Sequence, residues 1–438
     1  MRAMKNSGIE WIGEIPDGWG ISKVSRFYSV ILGKMLSPVK EATDSTLENY
    51  LCAQNIKWDG INTSEIKQMW FSCYEKEKYL LENQDVIVTE GGDIGVSSVY
   101  NGEFFPCYIQ NAVHKVTSRS GNKSENKLFY YWMHLVKNSG YLDLICNKAT
   151  IAHFTKEKLS STPMIVIPSK QQHHIASFLD TKCSLIDSTI QQEREVIDKL
   201  KEYRQAVITE AVTKGIRAGV PMKDSGVEWI GEIPINWKIT SLKNIVDIRD
   251  GTHDTPRYID EGNDTYPLIS SKDFVNSKID YSECKWISFE DYKSICMRSK
   301  VESGDVLMSM IGGNIGKSII VKENPHFAIK NVALFKTGLN KSLATLLHLY
   351  FSTTLLKTQI DLKSRGGAQD FLGLTDIRNL VWVFMGESEQ QEIASYLDKK
   401  CSDIDATIQK RELAIEKLTA YKQSLIYECV TGKREAAG

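Results

Sequence analysis

"IASFLDTKCSLIDSTIQ" at residues 175–191 and "IASYLDKKCSDIDATIQ" at residues 393–409 agree at 13 of 17 positions. A shift of 218 residues places one on the other, and in that register Leu200 falls on Leu418 and Tyr203 on Tyr421. From 171 to 212 there is neither Pro nor Gly. Apolar residues recur there at Ile175, Leu179, Ile186, Ile190, Ile197, Leu200, Val207 and Ala211, mostly three, four or seven apart. Their counterparts are Ile393, Leu397, Ile404, Ile408, Ile415, Leu418, Leu425 and Cys429. Such spacing makes a narrow seam of coiled-coil type on a helix. Gly215 and Gly432 supply the stops. Each helix is expected to run about 40 residues, roughly 60 Å.

A long helix with one narrow apolar stripe does not stay single in water. The economical arrangement packs the two copies on each other, antiparallel, with a pseudo-twofold relation between the halves. The charged residues spread along the other faces (Glu193, Arg194, Glu195, Asp198, Lys199, Lys201, Glu202) favour this over two ordinary core helices.

The repeat is larger than the helices. "SGIEWIGEIPDGW" (7–19) returns as "SGVEWIGEIPINW" (225–237), identical at ten of thirteen positions. A whole domain with its connector has been written twice. Between opener and helix, the regions 20–170 and 238–388 read as mixed α/β. Short β-rich runs such as "DVIVT" (85–89), "MIVIP" (164–168), "DVLMSMI" (305–311) and "SIIVK" (318–322) lie among Gly, Asn and Asp turns. Helical stretches at 126–138 and 342–356 correspond. The expected fold class is α+β: two tandem α/β domains separated by two long antiparallel helices forming a coiled coil. The expected boundaries are 1–170, a central helix over 171–215, a second domain over 216–388, a C-terminal helix over 389–433 and a tail over 434–438.

Composition narrows the function. The chain has 438 residues, 42% apolar and 25% charged, with a net charge of −1. It is long enough for two to three domains. A near-neutral chain does not grip nucleic acid with its whole surface, since phosphate binding needs clustered Lys and Arg. If DNA is the ligand, partners must supply much of the grip. No apolar run approaches the roughly 18 residues of a membrane span. The start, "MRAMKNSGIEW", has no apolar signal core. Nine singly scattered cysteines fit reduced thiols in the cytoplasm, and no Cys/His cluster has zinc spacing.

The scaffold agrees between halves, whereas the loops do not. "RDGTHDTPRY" (249–258) carries Arg249, His253, Thr255, Arg257 and Tyr258, and "ISSKDF" (269–274) adds Ser271 and Lys272. At matching places the first half has Lys34 and Ser37 in "GKMLSP", and Asn55 and Lys57 in "AQNIKWDG". Lys148, Thr150 and His153 precede the central helix, and Arg365 and Gln369 precede the C-terminal one. Such side chains read base edges and bind phosphates, so these residues are the candidate DNA contacts, with the bland alternative that polar loops are only solvated. Asn314 and Lys317 in "MIGGNIGKS" (310–318) join them. That turn is no P-loop: Ile311 stands where the first glycine belongs, a strand-like run follows, and "EGGDIGVSS" (90–98) has Val96 at the lysine position. No catalytic constellation emerges, neither a nucleophile elbow, a His-Glu-x-x-His, a dinucleotide fingerprint nor an Asn-Pro-Pro-Tyr-type element.

The duplicated opener, the "GGxIG" turn, the "IASxLDxKCSxID" helix start and "DGTHDTP" together resemble the DNA specificity subunit of type I restriction–modification systems, over essentially the whole chain. The resemblance implies two target recognition domains, each reading one half of a split, asymmetric DNA sequence, and a helix pair that fixes the spacer. It implies a subunit without catalysis or cofactor of its own. The partners implied are double-stranded DNA, two methyltransferase subunits that use S-adenosylmethionine, and restriction subunits that use ATP and Mg. Two rival readings are a type IIB or orphan specificity component and a scaffold that binds proteins rather than DNA.

Overall fold

The computed structural model describes residues 2–40, 42–102, 104–146, 152–275, 277–322, 325–363 and 371–436. The chain divides into two compact units, Met1–Glu193 with Leu413–Gly438, and Arg194–Glu412. The central helix, Ser169–Lys214, and the C-terminal helix, Glu387–Val430, each contribute to both units. They do not stand as bodies separate from the domains, because each end of the seam packs into a domain core. In the first unit Ile175, Leu179, Cys183, Ile186 and Ile190 share a core with Leu425, Ile426, Cys429 and Val430. In the second, Ile393, Ala394, Leu397 and Cys401 share one with Val207, Ile208, Ala211 and Val212. Ile197 and Ile404 are also buried, whereas Leu200, Ile415 and Leu418 are only half-buried.

The helices run antiparallel within each unit. In the second, Arg204 meets Asp405 at 3.0 Å, and Arg217, just past the helix end, meets Glu392 at 2.6 Å. In the first, Lys422 meets Asp187 at 2.6 Å. There Trp19 donates from Nε1 to Gln171 at 3.0 Å, and a Cβ on Gly432 would lie 2.8 Å from the same indole.

Each unit contains the same sheets. A four-stranded antiparallel sheet runs Ser97–Val99, Val86–Thr89, Val113–Ser118, Tyr28–Leu32 in the first unit. Its counterpart runs Ser318–Ile320, Val306–Ser309, Val332–Lys336, Asp247–Asp250. The second strands, VIVT and VLMS, are buried at every position. Side chains alternate across a strand, so Val86 and Val88 face one core and Ile87 another, while Val306 and Met308 face one and Leu307 another. Burial on both faces explains why these runs are continuously apolar.

A three-stranded sheet completes each domain: Tyr108–Ile109, Thr46–Leu51, Lys67–Phe71, and Ala328–Ile329, Thr265–Ile269, Lys285–Ser288. The covering helices, Lys123–Asn138 and Lys341–Phe351, begin at Asn122 and Asn340, whose side chains accept from Ser124 and Leu343 N–H groups. An N-cap of this kind satisfies an otherwise orphaned donor.

The opener explains its own duplication. Trp19 and Trp237 are both buried, and each indole bonds the first turn of the long helix that follows its domain: Trp19 to Gln171, and Trp237 to Glu389 at 2.9 Å. Trp11 stacks on Tyr141, with centroids 4.9 Å apart. The motif ties a domain to its helix, so it recurs wherever the pair does.

Candidate nucleic-acid interface

The variable loops leave the sheets through a pinch that both halves share. Gly33 and Gly251 close the strands Tyr28–Leu32 and Asp247–Asp250, and a Cβ there would lie 2.4 Å from Gln110 O and 2.2 Å from Ile329 O. Only glycine lets the two backbones approach that closely. The next residues bridge across, Lys34 to Gln110 and Thr252 to Lys330.

In the second unit this pinch gathers Arg249, His253, Thr255 and Tyr258 of the predicted residues into one cluster. His253 sits between Asn331 Oδ1 and Asp250 Oδ2, both at 2.9 Å, with Phe371 edge-on to its ring. Asp250 also meets Arg298 at 3.2 Å. Lys330 Nζ donates to Thr255 Oγ1 at 2.5 Å and to the Tyr258 hydroxyl at 3.4 Å, and lies 5.9 Å from the Tyr258 ring centroid. Arg249 is held by Asp247 at 2.7 Å. Arg257 is exposed and has no hydrogen bond or ion pair among the described residues. Phe371 bridges to Ile311, which brings the turn bearing exposed Asn314 and Lys317 alongside. Ser271 and Lys272 lie in a short 3-10 turn, the lysine exposed.

The first unit differs. Lys34, Ser37 and Asn55 were expected at the loop surface, and all three are buried. Lys34 Nζ donates to Trp70 O at 2.8 Å and pairs with Glu75 at 2.6 Å. Burial pushes the Glu75 carboxyl up, but the bonds from Lys34 and Ser72 outweigh it and hold it below the usual range. Asn55 accepts from Cys52 N and donates to Asn62 O and Glu65 O, shaping its turn. Ser37 Oγ donates to Val39 O. These short polar side chains serve the loop's own backbone, which spacing alone does not reveal. Lys57 and His153 are exposed. Lys148, Thr150, Arg365 and Gln369 lie outside the described residues.

Lys330, Asn331 and Arg298 were not anticipated. Asn331, at φ 55°, is in the left-handed region, where Asn is among the residues that tolerate it. That is the signal an Asn following a strand could have given. The glycine turns are structural. Gly95 (φ 78°) and Gly316 (φ 86°) face Leu142 and Leu356 so closely that a Cβ would lie 2.5 and 2.8 Å away. Their N–H groups bond Thr89 O and Ser309 O. Among the described residues no group of His, Cys, Asp or Glu could hold a metal, and no helix is long and apolar enough to cross a membrane.

A duplicated α/β domain whose loops differ in chemistry, carried on shared long helices, defines a protein with two unlike binding heads. A family model, the type I restriction modification DNA specificity domain, matches residues 47–202 and 234–417, and the chain belongs to that family. It is 25% identical over 401 residues to the Escherichia coli type I restriction enzyme EcoBI specificity subunit, covering 87% of this chain and 82% of that one. It is 23% identical to the Methanocaldococcus jannaschii MjaVIII specificity subunit, covering 96% and 93%. A solved chain from a study of complex assembly in the type I R-M system shares the fold, with a TM-score of 0.68 at 14% identity, covering 96% of this chain and 99% of that one.

Proposed function

We propose that this specificity subunit reads a bipartite, asymmetric DNA sequence, one half-site per unit, and delivers it to partner subunits that do the chemistry. The observation that carries the reading is the contrast between a shared scaffold and unlike loops. Gly33 and Gly251 make the same pinch, yet one loop buries Lys34 while the other presents Arg257, Tyr258 and Lys330. A reader of two identical half-sites would have no use for that difference.

The loops supply donors and cations for base edges and phosphates. The long helices, 46 and 44 residues, set the spacer between half-sites. Two methyltransferase subunits dock on the chain and use S-adenosylmethionine to methylate adenine. Restriction subunits then join with ATP and Mg. The complex works in the cytoplasm, consistent with nine unpaired thiols.

Co-purification with candidate methyltransferase subunits, followed by single-molecule sequencing of methylated adenines, tests the reading. A bipartite motif with a fixed spacer is expected. A continuous motif, or no methyltransferase bound, overturns it.

A further inference from the structure

The two pinches match bond by bond. Lys34 N donates to Ile109 O at 3.0 Å and Thr252 N to Ile329 O at 2.9 Å. Asn111 N donates to Lys34 O at 2.6 Å and Asn331 N to Thr252 O at 3.1 Å. Met35 therefore stands where the second unit has His253, and Gln110 and Asn111 stand where it has Lys330 and Asn331. With the backbone held in common, the exchanged side chains decide what each loop offers.

The exchange of histidine for methionine releases an amide. In the second unit Asn331 Oδ1 is taken by His253 Nδ1 at 2.9 Å. Met35 has no group to take its place and is 75% exposed. Asn111 Oδ1 accepts from Gln110 Nε2 instead. That leaves Gln110 Oε1 and Asn111 Nδ2 without a partner among the described residues, on side chains that are only half-buried. An acceptor and a donor held side by side complement the N6 amine and N7 of adenine, the edge that amide side chains read in the major groove. Exposed Met35 and Leu36 add apolar surface of the kind that meets a thymine methyl.

The second unit has used up that amide and offers a guanidinium. Arg249 and Arg298 are paired with Asp247 and Asp250, and Lys330 is committed to Thr255 and Tyr258. Thr255 and Tyr258 flank Pro256 and Arg257, so one lysine clamps that segment on both sides. Arg257 itself is exposed and has no hydrogen bond or ion pair among the described residues. A phosphate contact needs little more than charge, whereas reading guanine O6 and N7 needs a planar fork at a fixed place. The clamp and the proline supply the fixed place.

We propose that the two heads divide the bases by chemistry: Arg257 reads a guanine in the half-site of the second unit, and the Gln110–Asn111 amide pair reads an adenine in the half-site of the first. Lys330 is a positioning residue for Arg257. This inference deepens the proposed function and rests on it.

The test uses the full-length chain with its methyltransferase subunit and duplexes carrying the target found by sequencing of methylated adenines. Each base pair of each half-site is replaced in turn, and affinity is measured at several salt concentrations. Arg257→Ala should cost about tenfold, or about 1.4 kcal/mol, on the intact target and nothing on the duplex that already lacks one particular G·C pair. Deazaguanine at that pair, with C–H in place of N7, should weaken the unsubstituted complex and leave the variant unaffected. Asn111→Asp keeps the shape of the side chain and removes its donors. It should lose discrimination at one A·T pair of the other half-site, and deazaadenine there should reproduce the loss. Thermal unfolding should be little changed in both variants, since neither side chain is buried. If Arg257→Ala weakens every duplex equally and makes the salt dependence shallower, Arg257 is a phosphate contact and the proposal is overturned. A loss from Asn111→Asp that falls on a G·C pair, or on no pair, overturns it as well. Should the unsubstituted complex show no base preference in either half-site, the functional reading falls and takes this proposal with it.

Discussion

Asp187 and Lys422 are 235 residues apart in the chain, yet their side chains meet at 2.6 Å. Arg204 and Asp405 repeat the contact at 3.0 Å in the other unit, each standing at the other pair's shifted position. In both pairs the residue numbers add to 609, so each unit holds the same antiparallel register.

Reversing one charge, Asp187→Lys, places two lysines together and should lower the melting temperature. The double variant Asp187→Lys/Lys422→Asp should recover most of the loss. Partly exposed pairs of this kind contribute about 0.2–1 kcal/mol, readable by a double-mutant cycle in urea. Additive effects in that cycle would refute the pairing.

Leu179 and Leu397 are fully buried at equivalent seam positions. Truncating either to Ala should remove about 2–5 kcal/mol. Because their surroundings are duplicated, the two losses should agree closely. Denaturant unfolding of the two variants checks this.

His114 and His134 are buried and His348 is half-buried, and each has its pKa lowered chiefly by burial. As pH falls below the usual imidazole value of 6.5, the unfolded chain gains protons that the folded chain refuses. Stability is therefore present at neutral pH and lost toward acid, by up to about 1.4 kcal/mol per pH unit for each histidine. Melting temperatures between pH 7 and 4 should fall with this sense, and His134→Phe should flatten the fall.

Replacing Gly251 with Ala drives a Cβ against the backbone carbonyl of Ile329 and must displace the loop that follows. Sequencing of methylated adenines should show relaxed reading in one half-site, with the other intact. Gly33→Ala should relax the opposite half-site. Both half-sites changing together in either variant would contradict separate heads.

Lys330→Ala removes the contacts to Thr255 and Tyr258 that shape the second unit's loop. It should affect the same half-site as Gly251→Ala while leaving the unfolding free energy within about 0.5 kcal/mol of unsubstituted protein, as surface changes usually do.

The helices, the repeat and the strands at "DVIVT" and "DVLMSMI" could be read in the sequence, because period and composition report them directly; that those strands are buried on both faces came from the structure. Leu200 and Leu418 mark the limit: the seam places them inside, but they are only half-buried. The variable loops were legible as places, not as contacts. Lys34 looks like a phosphate ligand until Glu75, 41 residues on, is seen to hold it. Lys330 looks like an ordinary strand-end lysine until the pinch at Gly251 brings Thr255 beneath it. Long-range pairings of this sort leave no periodic trace.

The strands Val86–Thr89 and Val306–Ser309 are sealed on both faces, and the loops that differ hang outside that seal. Rewriting a loop leaves the free energy of the sealed interior almost untouched. The architecture therefore separates what must stay constant from what can drift, and a lineage can acquire a new DNA preference without passing through an unfolded ancestor.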